Sequence, residues 1–197
     1  EADSILSEKP VSVTDKEQIP PSGNKHDFYS LAAYEWPNPN TPNGLPYVSR
    51  DGKINPEIFS ISDKKSLDKM ANMVKILSYA NYFTGKPIYA DKAEEFLRTW
   101  FLNEVTYMNP NLNYAEIARG KNELNPGGIM EGYPFSSLTK SIELLRQSPN
   151  WDKKLDNGLD KWFSNYLNWL LFSESGKVEV QKMNNHGTYY LVQVSNL

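Results

Sequence analysis

DKKSLDKMANMVKILSYANYFTGKPIYADKAEEFLRTWF, residues 63–101, contains two amphipathic helical patterns separated by a stop signal. Leu67, Met70, Val74 and Leu77 fall three and four apart, and Ala71, Ala80 and Phe83 widen the same apolar face. Ser62 or Asp63 supplies the cap, and Gly85 with Pro87 ends the pattern. The second stripe follows at once in Tyr89, Ala93, Phe96, Leu97 and Trp100. Asp91, Glu94 and Glu95 stand in its early turns, where acids suit the helix dipole. Two helices with so short a connection form an αα-hairpin.

The pattern recurs downstream. Leu138, Ile142 and Leu145 predict a third helix from about Ser136 or Ser137, closed by Pro149. The fourth is the most regular: Leu155, Leu159, Trp162, Tyr166 and Trp169 repeat at four, three, four and three, with Gly176 as the stop near Ser175. No stretch alternates as a strand should, and the tetratricopeptide spacing of Trp, Gly and Tyr is absent. Consecutive helical hairpins predict an all-α solenoid or toroid.

Between the helices lie two long irregular runs. Residues 25–62 carry Pro37, Pro39, Pro42, Pro46 and Pro56, a density that forbids a helix. Tyr29, Tyr34, Trp36 and Tyr47 argue against disorder there. The run reads as an ordered loop over a cleft, with rings that either stack on a ligand or pin the loop to the body. Residues 103–131 collect Asn103, Asn109, Asn111, Asn113, Asn122 and Asn125 with Gly120, Gly127 and Gly128. Such amides suit turns, and equally suit hydroxyl groups; Arg119 and Lys121 add local positive charge. Residues 1–24, polar and holding Pro10, Pro20 and Pro21, read as an extended arm before a domain spanning 25–197.

Composition narrows the chemistry. With 197 residues, 39% hydrophobic and 23% charged, the chain suits one globular domain. It has no cysteine, which excludes disulfides, thiol catalysis and thiolate metal sites. Its two histidines, His26 and His186, are far apart, so a metal site is not expected. A net charge of −3 without a basic run gives no sign of nucleic acid binding, and no apolar run is long enough to span a bilayer. The 12 tyrosines and 5 tryptophans suit packing, interfaces and sugar rings alike.

The candidate centre is Gln181-Lys182-Met183-Asn184-Asn185-His186-Gly187-Thr188-Tyr189-Tyr190. Histidine exchanges a proton near neutral pH without special tuning, and neighbouring amides can donate to an oxygen that gains charge. The same residues are also turn chemistry, since Asn caps helices and Asn and Gly tolerate positive φ. Tyr190-Leu191-Val192-Gln193-Val194 then starts an apolar segment with no closing signal. Leu197 is therefore not expected to be a natural domain end.

Taken together, these segments resemble the alginate-lyase domain of polysaccharide lyases, including glucuronan lyases. The resemblance rests on Lys25-His26-Asp27-Phe28-Tyr29-Ser30-Leu31-Ala32, Tyr34-Glu35-Trp36-Pro37-Asn38-Pro39, Gly44-Leu45-Pro46-Tyr47 and Arg50-Asp51-Gly52. It continues through Asn55-Pro56-Glu57, Tyr82-Phe83-Thr84-Gly85, Arg98-Thr99-Trp100-Phe101, Met108-Asn109-Pro110-Asn111-Leu112-Asn113-Tyr114-Ala115 and Asn184-Asn185-His186-Gly187-Thr188. The resemblance implies an incomplete α/α toroid and β-elimination on an anionic uronate polysaccharide, without metal or cofactor, in the periplasm or outside the cell. It places Asn185 and His186 at the reaction centre, Asn185 neutralising the substrate carboxylate and His186 acting as base or assisting a tyrosine. Asn184, His26, Tyr34, Trp36, Arg119 and Glu131 are the candidate substrate-binding residues, His26 being equally a residue that orients its loop. The family's catalytic Tyr and carboxylate-binding Arg are expected beyond Leu197, leaving half a site here and an isolated piece that would be inert. Two other readings compete: a non-catalytic sugar-binding protein, and a glycoside hydrolase using Glu131 with Asp27.

Overall fold

The computed structural model describes residues 1–121 and 124–197; Asn122 of the amide-rich run lies outside them. With 55% of residues helical and 6% in strands, the chain is all-α in class. The elements in order are α1 (Ala2–Ile5), β1 (Tyr29–Leu31), β2 (Glu35–Trp36), β3 (Val48–Ser49), α2 (Asp63–Thr84) and α3 (Pro87–Phe101). β4 (Tyr114–Ile117), α4 (Tyr133–Leu145), α5 (Lys153–Phe172), α6 (Glu174–Glu179) and α7 (Asn185–Asn196) complete them. Short 3₁₀ segments occupy Val13–Asp15, Pro56–Ser60 and Pro126–Gly132.

The α2–α3 hairpin forms as its periodicity predicts. Leu67, Met70, Val74 and Leu77 are fully buried, and so are Ala93, Phe96, Leu97 and Trp100. Gly85 closes α2 at φ +66, a left-handed conformation open to glycine without steric cost. Phe83 departs from the expectation: it is 80% exposed, since about two and a half turns separate it from Val74 and set it on the opposite face. α2 packs on both α3 and α4, and α5 on α3, α6 and α7. At the centre, Phe101, Phe135, Trp162, Phe163 and Tyr166 form an aromatic cluster.

Residues 1–24 are not a free extended arm. Ile5 and Val13 enter the main core. Ser12 Oγ donates to the carbonyl of Thr106 at 2.7 Å. Lys16, fully buried, pairs with Asp63 at 2.9 Å. Apolar side chains too sparse to show a period are enough to dock the segment.

The irregular runs are tied to the helices and to each other. Trp162 Nε1 donates to the carbonyl of Met108 at 2.7 Å, and Trp169 Nε1 to Asn113 Oδ1 at 2.9 Å. β1 pairs in parallel with β4, matching Tyr29 with Tyr114 and Leu31 with Ile117, while β2 and β3 form an antiparallel pair. The β1–β4 register is irregular because Glu116 sits at φ +51, outside the extended region. Its N–H donates to Ser30 Oγ at 2.8 Å instead of to the ladder. These strands are too short for alternation to be read from sequence.

Three helix boundaries differ from expectation. α4 begins at Tyr133, where Pro134 suits a first turn and extends the helix ahead of the serines. α5 stops at Phe172, because Ser173 turns its side chain to cap α6, and Gly176 lies inside α6 instead of ending α5. The helix therefore continues past the stop read at Gly176, as far as Glu179.

Candidate active site

The motif around His186 is a helix start. Asn184 is the N-cap of α7, and its Oδ1 accepts from the N–H of His186 at 3.0 Å. Asn184 thus caps the helix through its amide oxygen, and it also lines the cavity described below. Asn185 and His186 follow in the first turn. The Asn185 side chain is exposed and takes no hydrogen-bond partner among the described residues.

His186 is held from two sides. Its Nδ1 lies 3.0 Å from Oε2 of Glu179, a residue 2% exposed at the end of α6. On another side is Gly127, where a Cβ would stand 3.0 Å from the ring's Cε1. A carboxylate accepts, so this contact suits a hydrogen on Nδ1 and leaves Nε2 turned away from Glu179. No hydrogen bond to Nε2 forms among the described residues.

Around the ring is a cavity of about 190 Å³ lined by Asn125, Pro126, Gly127, Glu179, Lys182 and His186, with Val178 and Asn184. Asn125 links it to β4: its Nδ2 donates to the carbonyl of Glu116 at 3.1 Å and lies 3.3 Å from that residue's carboxylate. Burial raises the Glu116 carboxyl above the usual range, against the pull of His186. Glu131 is raised to about 7, chiefly by burial, against Lys64 and with Glu116 adding to the rise. Lys64 stands 3.8 Å from its Oε2, too far for a hydrogen bond.

The other predicted residues lie elsewhere. None of His26, Tyr34, Trp36, Arg119 and Glu131 lines this cavity. His26 orients its loop: Nδ1 bonds the carbonyl of Tyr107 at 2.6 Å, and its ring packs on that of Tyr107. Trp36 Nε1 donates to the carbonyl of Lys53, and Arg50 covers its ring at 5.3 Å, so this ring pins the loop. Tyr34 is 46% exposed. Arg119 pairs with Glu57 at 2.8 Å and lines a separate cavity of about 550 Å³ with Tyr29, Tyr47 and Lys121. Asp27, the hydrolase reading's second acid, is buried and accepts from Asn109 Nδ2 at 2.7 Å.

Sequence reasoning missed Glu179, Glu116 and Lys182 as neighbours of His186. Glu179 is seven residues back on a different helix, and the turn between α6 and α7 is what brings it to the ring. Among the described residues no group of three or more His, Asp or Glu is arranged to hold a metal, and no helix is long and apolar enough to cross a membrane.

The sequence model of the alginate lyase family matches residues 12–196. A crystal structure of an alginate lyase from Bacteroides ovatus is similar with a TM-score of 0.92 and 37% sequence identity, over 99% of this chain and 52% of that one. The chain thus spans about half the length of that protein. No curated protein sequence matches it.

Proposed function

Because the chain belongs to the alginate lyase family, we propose that it serves a polysaccharide lyase that cleaves a uronic-acid polymer, alginate or glucuronan, by β-elimination. The observation that carries this reading is His186: a cavity-lining imidazole with Nδ1 engaged by a buried carboxylate and no partner at Nε2 among the described residues.

The proton at C5 of a uronate is weakly acidic, and its loss becomes feasible when the adjacent carboxylate is neutralised and the resulting charge stabilised. Asn185, its amide unengaged at the start of α7, donates to that carboxylate, and the positive end of the helix favours the same anion. His186 Nε2 removes the C5 proton, or assists a tyrosine that does so when C5 has the opposite configuration. The electron pair left at C5 forms the C4–C5 double bond as the glycosidic oxygen at C4 departs and takes up a proton. The family resemblance assigns that proton to a tyrosine and further carboxylate binding to an arginine. On the same reading the helical hairpins are part of an α/α toroid, and the protein works in the periplasm or outside the cell.

The test is absorbance of the unsaturated uronate end, with the protein and its His186→Ala variant incubated with polymannuronate, polyguluronate and glucuronan. Absorbance that rises with the protein and not with the variant supports the reading. No rise on any polymer, from protein that also supplies the tyrosine and the arginine, overturns it and leaves the sugar-binding reading to be tested by affinity.

A further inference from the structure

We propose that Glu179 is the positioning residue that holds His186 in its Nδ1–H form and so reserves Nε2 for the substrate proton. The inference rests on the reading of His186 as a base and names the group that makes it one.

Three observations converge on it. Glu179 is 2% exposed, yet it forms no ion pair with a Lys or Arg among the described residues; its recorded side-chain partner is His186 Nδ1 at 3.0 Å. A carboxylate so buried is costly unless its charge is satisfied, so the fold retains it against a penalty. Second, the backbone is closed so that the two residues meet. A Cβ on Gly187 would stand 2.0 Å from the carbonyl oxygen of Lys182, so only glycine lets the first turn of α7 fold back onto the end of α6. Third, the ring sits in space that the lack of a side chain on Gly127 leaves open, since a Cβ there would stand 3.0 Å from Cε1.

The opposite tautomer would aim the Nδ1 lone pair at a buried carboxylate and place the hydrogen on the atom that must accept one. The other charges near the ring do not substitute. Glu116 comes from β4 and bonds Asn125, and Lys182 lines the cavity and cannot accept a hydrogen bond. Among the described residues, Glu179 alone is hydrogen-bonded to the imidazole.

The experiment is nitrogen-15 NMR of the imidazole nitrogens in histidine-labelled protein, with His186→Ala assigning the two rings, alongside kcat and KM on the polymer that is cleaved. The wild-type His186 is expected as the Nδ1–H tautomer. Glu179→Gln, nearly isosteric but able to donate or accept, is expected to give a tautomer mixture. Its kcat is expected to fall by about 10²-fold or more with KM changed less than about threefold. A wild-type His186 found mainly as the Nε2–H tautomer overturns the proposal, and this measurement needs no variant to fold. A folded Glu179→Gln with unchanged tautomer and kcat overturns it too. If no polymer is cleaved while the tautomer still depends on Glu179, the lyase reading falls and the positioning role stands.

Discussion

Gln193 ties α7 to α5 and to the 3₁₀ segment beside His186, so removing its amide is a quantitative test of the architecture. It is fully buried on α7, two turns beyond His186. Its Oε1 accepts from Tyr166 Oη of α5 at 2.8 Å, and its Nε2 donates to the carbonyl of Ile129 at 2.9 Å, in the 3₁₀ segment that carries Gly127. Gln193→Leu keeps the volume and strands both partners in a dry interior. Each stranded group costs roughly 1–3 kcal/mol, so the pair costs about 3 kcal/mol. For a chain of this size that lowers the melting temperature by about 6–12 °C. Tyr166→Phe removes one partner, and with it the hydroxyl that Gln193→Leu would strand. The double variant is therefore expected to lose less than the sum of the single changes. Thermal unfolding by circular dichroism on the four proteins completes the cycle. A Gln193→Leu change under about 2 °C, or losses that simply add, would refute the claim that this network clamps α7 to the body.

Gly127→Ala is expected to lower kcat by about 10-fold while the melting temperature moves little, since the added methyl displaces the imidazole by a few tenths of an ångström; steady-state kinetics and a melt separate the two. Glu131, raised to about 7 from 4.5, contributes stability that is present below pH about 4.5 and lost as pH rises through about 7. Urea unfolding at pH 5 and 8 should show that loss, of order 3 kcal/mol at most, much reduced in Glu131→Gln. Asp63, raised to about 6, acts in the same direction and remains in the variant. Tyr34→Ala is expected to raise KM without changing the melt. Trp36→Ala, which frees Arg50 and the carbonyl of Lys53, is expected to lower the melting temperature instead.

The helices with a long apolar stripe could be read from residues alone, because burial repeats every three or four positions over fifteen residues or more, as in α3 and α5. The six-residue α6 offers no such repeat, and its glycine looks like a terminator when it is in fact interior. That one misreading hid Glu179, since a residue past an assumed helix stop has no defined direction. His186 was visible because histidine is rare here and its neighbours are amides. The capping role of Asn184 and the exposed amide of Asn185 could not be told apart until the helix start was fixed at residue 185. Arg119 illustrates the reverse problem: its charge suggests a polyanion, but Glu57, far away in sequence, already engages it.

Elimination with His186 as base is tested most directly by digesting the polymer in heavy-oxygen water and weighing the new ends. The account predicts unsaturated fragments that carry no solvent oxygen, and no fragments from His186→Ala. Fragments one water heavier, with the label at the cleaved bond, would show hydrolysis and contradict it.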